Sequence, residues 1–228
     1  MTYEIAIGDR AYSSWSLRGW LLLDAFGLPV RARRAQMRTP AFAALLADFA
    51  PARTVPALRT PEGVLVWDSL AIAETLAERH PEAGHWPRDP ARRLLARSLA
   101  AEMHAGFAAL RRACPMNLRV AWAGFRPSPE VEDDLSRLVV LWRAARATAD
   151  DGGAWLFGRY TAADAFFAPV AARVAGYGLA VPPDAAAYVA AHLAHEPFRR
   201  WRAAALDDGP DQEAYRMDLD PAPWPAAD

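Results

Sequence analysis

The chain has 228 residues, of which 53% are hydrophobic and 23% charged, and its formal net charge is −1 at neutral pH. This composition is typical of a folded protein with a sizeable core, built as one large domain or two smaller ones. A charge near zero excludes a strong general attraction to nucleic acid or to an anionic membrane, so neither is expected as a partner.

The cysteine content and the hydropathy pattern favour a cytoplasmic protein. Cys114 is the one cysteine, so no intramolecular disulfide can form, which fits a reducing compartment. The N-terminus does not resemble a signal peptide, and the sequence contains no apolar run long enough for a membrane span.

In the first eighty residues, short β-rich segments alternate with amphipathic ones. Turn signals, helix caps and hydrophobic periodicity predict the order β-α-β-α-β-β-α over residues 1–81. The predicted strands cover 3–9, 28–37, 55–58 and 64–67, and the predicted helices cover 15–27 and begin at Thr39-Pro40 and at Asp68-Ser69.

A segment rich in proline and glycine, HPEAGHWPRDPARR, separates this unit from a second one over residues 90–228. The periodicity beyond it is helical, so the fold class is α/β followed by all-α. The tail at 218–228 is expected to be extended. One long helix is predicted to carry Leu95, Leu99, Met103, Phe107 and Leu110 on one face, and further helices are predicted from about Glu130 to Ala149, from Thr161, at Asp184–His195 and at Pro197–Ala204.

The hairpin contains the dipeptide Val55-Pro56. A cis peptide bond before this proline would turn the N–H and C=O of Val55 outward, toward a peptide ligand lying beside the strand. The dipeptide alone favours the commoner alternative, a trans proline on an edge strand.

Two pairs of polar residues stand at predicted helix starts. Asp68 and Ser69 could hold the ammonium and carboxylate groups of a ligand, because a helix N-terminus attracts anions. Ser13 and Ser14 could donate a hydrogen bond to a thiolate and so lower the pKa of a bound thiol. The alternative for both pairs is ordinary helix capping.

The remaining reactive side chains give weaker signals. His192 and His195 are three residues apart, but no further ligands complete a set, so no metal is expected. His104 is interpreted as a residue of the core or the cleft, and Cys114 as a buried, inert thiol. No nucleophile-elbow pattern of a serine hydrolase is present.

Four blocks of the sequence, taken in order, resemble the cytosolic glutathione S-transferases: SSWSLRGWLLL, TVPAL, WDSLAIAETL and FGRYTAADAFFAPV. The resemblance implies a thioredoxin-like, glutathione-binding domain over 1–81, an all-helical domain over 90–228, and a homodimer. It also implies that glutathione is the co-substrate and a small electrophile the second substrate. The stretch GRYTAAD resembles the capping box of that family, in which Thr161 and Asp164 bond each other's backbone N–H.

The resemblance also implies roles for individual residues. Ser13 would be the catalytic residue that activates the glutathione thiol. Val55, before a cis-Pro56, would bond the cysteinyl backbone. Asp68, where the family usually has Glu or Gln, would hold the γ-glutamyl end together with Ser69. The implied glutathione-binding set is Ser13, Ser14, Trp15, Arg53, Val55, Pro56, Asp68 and Ser69, with Arg53 as a candidate for the glycine carboxylate.

Within the family, SSWS and CPMNL resemble blocks of the zeta class, the maleylacetoacetate isomerases. Trp15 stands where that class has cysteine, and Gly176 stands where it has an arginine for an acidic substrate. Arg173, one turn earlier, is a possible replacement. A glutathione-dependent isomerase and a non-catalytic glutathione-binding or interaction module therefore remain alternatives to a transferase. The candidates for the second-substrate wall are Met103, Phe107, Asn117 and Arg173.

Overall fold

A computed structural model describes residues 2–149 and 152–225 of the chain. Its N-terminal elements are β1 (Tyr3–Ile7), α1 (Ser14–Asp24), β2 (Val30–Arg34), α2 (Pro40–Ala47), β3 (Ala57–Arg59), β4 (Leu65–Trp67) and α3 (Ser69–Arg79). The strands form one sheet in the order β2-β1-β3-β4. Strand β1 is parallel to β2 and antiparallel to β3, and β3 is antiparallel to β4. This arrangement confirms the predicted thioredoxin-like unit.

Helices cover both faces of the sheet, which explains why all five residues of β1 are buried and all but Glu4 are hydrophobic. Ile5 and Leu58 lie in the large core that includes α1 and α3. On the opposite face, Ala6 and Ala57 pack against Phe49, just after α2. A strand buried on both faces reads as a hydrophobic run rather than as an alternating pattern.

The C-terminal part is mainly helical. Its elements are α4 (Pro90–Ala105), α5 (Ala108–Ala113), β5 (Ala121–Ala123), α6 (Pro129–Arg146), α7 (Ala162–Gly176), α8 (Pro183–Ala194), α9 (Glu196–Leu206) and β6 (Asp220–Ala222). Helix α7 is buried almost throughout and packs against α4, α8 and α1. It begins with the predicted capping box between Thr161 and Asp164, so that capping prediction is confirmed. None of the helices in 2–149 and 152–225 is long and apolar enough to cross a membrane.

One sequence prediction in this part is wrong, and one pair of short strands was not predicted. The single long helix through Leu110 is two helices, because α4 ends at Ala105 and Phe107 adopts a left-handed backbone (φ 59°) before α5. Strands β5 and β6 were not predicted; they pair with each other, so the extended tail is held by a ladder. Each of these strands has only three residues, too few to show a periodicity. Residues 226–228 of the predicted extended tail lie outside the described residues.

A buried group of aromatic rings and imidazoles lies under α8. His192 is fully buried among Trp155 and Tyr188, and neither of its ring nitrogens has a hydrogen-bond partner within the described ranges. Burial, followed by the neighbouring charges of His195 and Arg146, lowers the pKa of His192 from 6.5 to about 3. The imidazole is therefore neutral in the folded protein throughout the physiological range.

Replacing His192 by leucine should make stability less sensitive to acid. The unfolded chain protonates this histidine below about pH 6.5, whereas the folded chain does so only near the lowered pKa, so stability falls as pH falls. Between pH 7 and pH 5, wild type should lose about 2 kcal/mol more of its free energy of unfolding than His192→Leu does. Urea denaturation at both pH values measures this difference. The titration of Asp164 contributes equally to the stability of both proteins, because both contain it, and so cancels in the comparison. Equal losses in the two proteins would contradict the expectation.

Candidate active site

One cavity lies where the β3–β4 hairpin meets the N-terminus of α3. This cavity A has a volume of about 310 Å³ and is lined by Trp15, Thr54, Val55, Pro56, Asp68 and Ser69. The Val55-Pro56 peptide bond is cis. The cavity therefore combines an extended backbone segment with a helix N-terminus, which suits a peptide-like ligand with a charged end.

Helix α1 approaches cavity A closely because of Gly19. A Cβ atom at this position would lie 2.5 Å from Cβ of Pro56, which no side chain could tolerate. A glycine inside a helix costs about 1 kcal/mol relative to alanine. The close packing of α1 on cis-Pro56 thus explains why position 19 is a glycine, although helix propensity disfavours glycine.

Asp68 is the N-cap of α3 and lies beside cavity A. Its Oδ1 accepts a hydrogen bond from the N–H of Leu70 at 2.8 Å. Its φ of 73° falls in the left-handed region, which is uncommon for a residue other than glycine. Such backbone strain concentrates at functional sites, because the surrounding structure has to hold it in place.

Ser13 is the N-cap of α1, and its hydroxyl is fixed by Ser16. The Ser13 oxygen accepts from the backbone N–H of Ser16 at 3.2 Å and lies 2.7 Å from the Ser16 hydroxyl oxygen. The Ser16 oxygen in turn accepts from the N–H of Gly8 at 3.0 Å. If Ser16 donates to Ser13, both lone pairs of the Ser13 oxygen are occupied and only its hydrogen is left to donate to a ligand.

A second cavity begins at Ser13. This cavity B has a volume of about 410 Å³ and meets cavity A at Trp15, which lines both. Four arginines line it, and none of its lining residues in the described part of the chain is acidic. The lining residues are Tyr12, Ser13, Ser14, Trp15, Met37, Arg38, Arg111, Arg112, Pro115, Met116, Arg173, Ala214 and Tyr215.

The indole of Trp15 is held by three neighbours from different helices. The guanidinium carbons of Arg18 and Arg111 lie 4.7 and 4.6 Å from its ring centroid. The imidazole of His104 meets it edge-on, with ring centroids 5.0 Å apart. Cation–π contacts of this kind stabilise a ring in one orientation, so the Trp15 side chain forms a fixed boundary between the two cavities.

Arg173 reaches cavity B from the core. Its Nε donates to the carbonyl of Cys114 at 2.9 Å, and its Nη1 donates to the carbonyl of Pro169 at 3.0 Å. Burial, followed by the charge of Arg111, lowers the pKa of Arg173 to about 10, so the group remains a cation at neutral pH. Arg173, the possible replacement for the arginine that the zeta class has where Gly176 stands, therefore lies on the wall of cavity B. Gly176, by contrast, faces Trp224.

Arg18 is a second buried cation, located behind Trp15. It is 2% exposed, and its Nε and Nη1 have no hydrogen-bond partner within the described residues. Burial lowers the pKa of Arg18 well below its ordinary value, and the charge of Arg111 acts in the same direction. An uncompensated buried cation raises the electrostatic potential around it, which favours any anion that binds nearby.

The segment after α9 forms one side of cavity B. Asp208 anchors it near β1, accepting from the Arg10 guanidinium at 2.6 Å. Further along, Asp211 accepts from the Tyr12 hydroxyl at 2.9 Å, and Tyr215 stacks on the Tyr12 ring with centroids 4.6 Å apart. This segment, residues 207–222, then ends in β6, so it is fixed at both ends.

Several residues that the sequence suggested lie away from these two cavities. Met103 and Phe107 are buried in the core and line neither cavity. Asn117 lines a different cavity, beneath the segment 207–222. Arg53 is exposed next to Thr54 and lines neither cavity.

The other reactive side chains show no catalytic arrangement. Cys114 is buried, and burial raises the pKa of its thiol to about 12, so it is not a nucleophile at neutral pH. Within residues 2–149 and 152–225, no three His, Cys, Asp or Glu side chains are grouped so as to hold a metal ion.

Sequence reasoning interpreted His104 only as a residue of the core or the cleft and did not single out Arg111. His104 lies against Asp68 and Ser69 in cavity A, and Arg111 lines cavity B. Both come from the helical domain, so their role depends on how the two domains pack. No local sequence signal reports that packing.

These features define a class of protein: a thioredoxin-like unit is joined to a helical domain, and cavities lie at their junction. Residues 12–79 match the family model of the glutathione S-transferase N-terminal domain. The chain is also 31% identical over 209 residues to the maleylacetoacetate isomerase of Pseudomonas aeruginosa, covering 88% of this chain and 96% of that protein. The chain therefore belongs to the glutathione S-transferase family.

Solved structures agree on the fold. A glutathione transferase homologue from Burkholderia (strain BGR1), with bound glutathione, is 24% identical and covers 92% of this chain and 100% of its own, with a TM-score of 0.67. Ure2p in complex with S-p-nitrobenzylglutathione is 18% identical and covers 88% and 94%, with a TM-score of 0.64. At these identities the likeness concerns the fold.

Proposed function

We propose that the protein binds glutathione across cavities A and B and activates its thiol with Ser13 for attack on a small electrophile. The backbone of Val55 beside cis-Pro56 pairs with the cysteinyl part, and Asp68 and Ser69 hold the γ-glutamyl end. The observation that carries the proposal is the meeting of the two cavities at Trp15. The backbone beside cis-Pro56 and the N-terminus of α3 line one cavity, and Ser13 lines the other, which supports a ligand that spans both.

Two features favour a thiolate at this place. The Ser13 hydroxyl, once Ser16 fills its acceptor positions, can donate to sulfur, and a hydrogen bond to the charged form lowers the thiol pKa. The positive charges of Arg111 and Arg173 on the lining of cavity B act in the same direction. The thiol proton leaves to solvent, and the thiolate forms a bond to the electrophilic carbon. Either a leaving group departs from that carbon with its bonding electron pair or, at an activated double bond, the π electron pair moves to the neighbouring carbon and takes a proton from water.

Arginines on the wall of cavity B support an anionic second substrate and hence a second candidate function. The related Pseudomonas protein is named for isomerising maleylacetoacetate, an unsaturated dicarboxylate. In this candidate, the thiolate adds to a cis double bond, the adduct rotates, and elimination of the same thiolate gives the trans product without consuming glutathione. Four guanidinium groups can hold two carboxylates during that rotation.

The homodimer implied by the family resemblance stays a prediction, as does a cytoplasmic location. A non-catalytic glutathione-binding protein remains the alternative if glutathione binds as a thiol.

Removing the Ser13 hydroxyl should abolish the thiolate. Lowering a thiol pKa by about two units raises the thiolate fraction at neutral pH by up to about a hundredfold, so Ser13→Ala should lose up to that factor in kcat/KM. The ultraviolet difference spectrum of bound glutathione, recorded against pH, measures the thiolate directly.

Because Ser13 also caps α1, a capping control is needed. Ser13→Gly keeps most of the cap stability, since glycine at an N-cap costs only a few tenths of a kcal/mol relative to serine. It should lose the thiolate as fully as Ser13→Ala does. An unchanged thiolate signal in both variants would leave Ser13 as a helix cap only.

Neutralising Arg173 should reduce a preference for anionic substrates. Arg173→Gln can keep an amide donor near the position of Nε, for the carbonyl of Cys114, but removes the charge. A charge-assisted hydrogen bond contributes about 1.5–3 kcal/mol, so kcat/KM for a cis-unsaturated dicarboxylate should fall about tenfold or more. The rate with its uncharged diester should change little.

The matched control is Arg137→Gln, because Arg137 pairs with Glu102 on the protein surface and lines neither cavity. Product analysis on the same samples distinguishes isomerisation, which leaves glutathione unchanged, from conjugation. Equal losses on diacid and diester in Arg173→Gln would exclude a specific carboxylate contact.

A further inference from the structure

His104 connects the helical domain to the two residues at the N-terminus of α3. Its Nε2 lies 3.3 Å from Oδ2 of Asp68, and its Nδ1 lies 3.5 Å from the hydroxyl oxygen of Ser69. His104 belongs to the last turn of α4, whereas both partners belong to the thioredoxin-like domain. One imidazole therefore contacts both side chains that the proposed function assigns to the γ-glutamyl end of glutathione.

The protonation of His104 follows from its neighbours. Burial lowers the pKa of His104, the carboxylate of Asp68 raises it, and the charges of Arg18 and Arg111 lower it. The net shift is downward, so the ring is neutral at pH 7. A neutral ring has one N–H, and the carboxylate of Asp68 requires it on Nε2, which leaves Nδ1 as an acceptor facing Ser69.

In this tautomer His104 fixes the Asp68 side chain, yet the carboxylate can still accept a further hydrogen bond. Oδ1 is occupied by the N–H of Leu70, and Oδ2 receives the N–H of His104. Each carboxylate oxygen has two lone-pair directions, so Oδ2 can still accept from a ligand ammonium group. The longer contact to Ser69 leaves that hydroxyl able to turn toward a ligand carboxylate.

Because position 68 is an aspartate, its carboxylate needs a second hydrogen bond to stay in one orientation. Its side chain is one methylene shorter than that of glutamate, and 49% of it is exposed to solvent. A half-exposed short carboxylate has several rotamers available, and a ligand would have to immobilise it at an entropic cost. A second hydrogen bond from a ring that is itself packed against Trp15 removes that freedom before the ligand arrives.

We propose that His104 is a positioning residue of the γ-glutamyl subsite: it holds Asp68 in the geometry that receives the ammonium group of glutathione, and it leaves the Ser69 hydroxyl able to donate to the carboxylate. This inference rests on the proposed function, because it presumes that glutathione occupies cavity A. It extends that function by making the subsite a joint product of the two domains. Its effect is on binding the γ-glutamyl end and not on the thiol.

The test compares two ligands that differ only at that end. S-methylglutathione carries the γ-glutamyl group, S-methylcysteinylglycine lacks it, and neither has a thiol to ionise. Isothermal titration calorimetry gives the Kd of each for wild type, His104→Phe and His104→Gln. His104→Phe keeps a ring against Trp15 but has no nitrogen, whereas His104→Gln can place an amide N–H near the position of Nε2. Ser98→Ala, an exposed change on the same helix, is the control.

His104→Phe should bind S-methylglutathione about tenfold or more weakly, which is the loss of one hydrogen bond to a charged group, and should bind S-methylcysteinylglycine as wild type does. His104→Gln should recover most of the loss, and Ser98→Ala should match wild type. In turnover assays, the KM for glutathione should rise in His104→Phe while kcat is kept, the opposite of the result expected for Ser13→Ala.

Two results would overturn the assignment of His104. One is an unchanged affinity of His104→Phe for S-methylglutathione, and the other is an equal loss on both ligands, which would indicate a general disturbance of cavity A. If wild type itself binds S-methylglutathione no better than the truncated ligand, the γ-glutamyl subsite is absent and the proposed function fails with the inference. If wild type discriminates and the variants do so equally, only the inference fails.

Discussion

Packing of helix α1 between the two domains is the constraint on which the site depends. One side of α1 contributes to the core of the thioredoxin-like sheet, and the helix also packs against α7 of the helical domain. Its N-terminus carries Ser13 and Trp15, so their distances to residues of both domains are fixed together. Gly19 lets the same helix reach Pro56. A shift of α1 relative to either domain would therefore disturb both cavities at once.

Two buried polar side chains, Arg18 and His192, lack hydrogen-bond partners within the described residues, and they differ in place and in charge. The cation of Arg18 lies at the junction, between the rings of Trp15 and Phe166, and is unpaired within the described residues. His192 also lacks partners there, but it lies under α8 among aromatic rings and is neutral. A buried charge costs far more than a buried neutral imidazole, so its retention near cavity B is consistent with a role in attracting anions.

Sequence reasoning reached the features that local chemistry determines. The β-α-β-α-β-β-α order follows from periodicity and caps, and the capping box at Thr161 follows from two residues three apart. The cis bond before Pro56 came from the family resemblance, since the dipeptide alone favours trans. Ser13, Asp68 and Ser69 were found because each stands at the start of a helix, a position that the sequence marks clearly.

Sequence reasoning could not reach what the domains create by packing together. The assignment of Phe107 to a helix face assumed that α4 continues, whereas the chain turns at Gly106 with a Cβ position only 2.8 Å from the carbonyl of Glu102. The arginines of cavity B come from α5, α7 and the loop before α2, segments far apart in the chain. Their convergence depends on long-range contacts, which no window of sequence contains.

The segment 207–222 is part of one cavity of the site and not of the other. It contributes Ala214 and Tyr215 to cavity B, yet none of its residues lines cavity A. Substitutions at Ala214 or Tyr215 would change the size and polarity of cavity B without altering the lining of cavity A. The lining of cavity B can thus diversify through the C-terminal end of the chain while that of cavity A is kept.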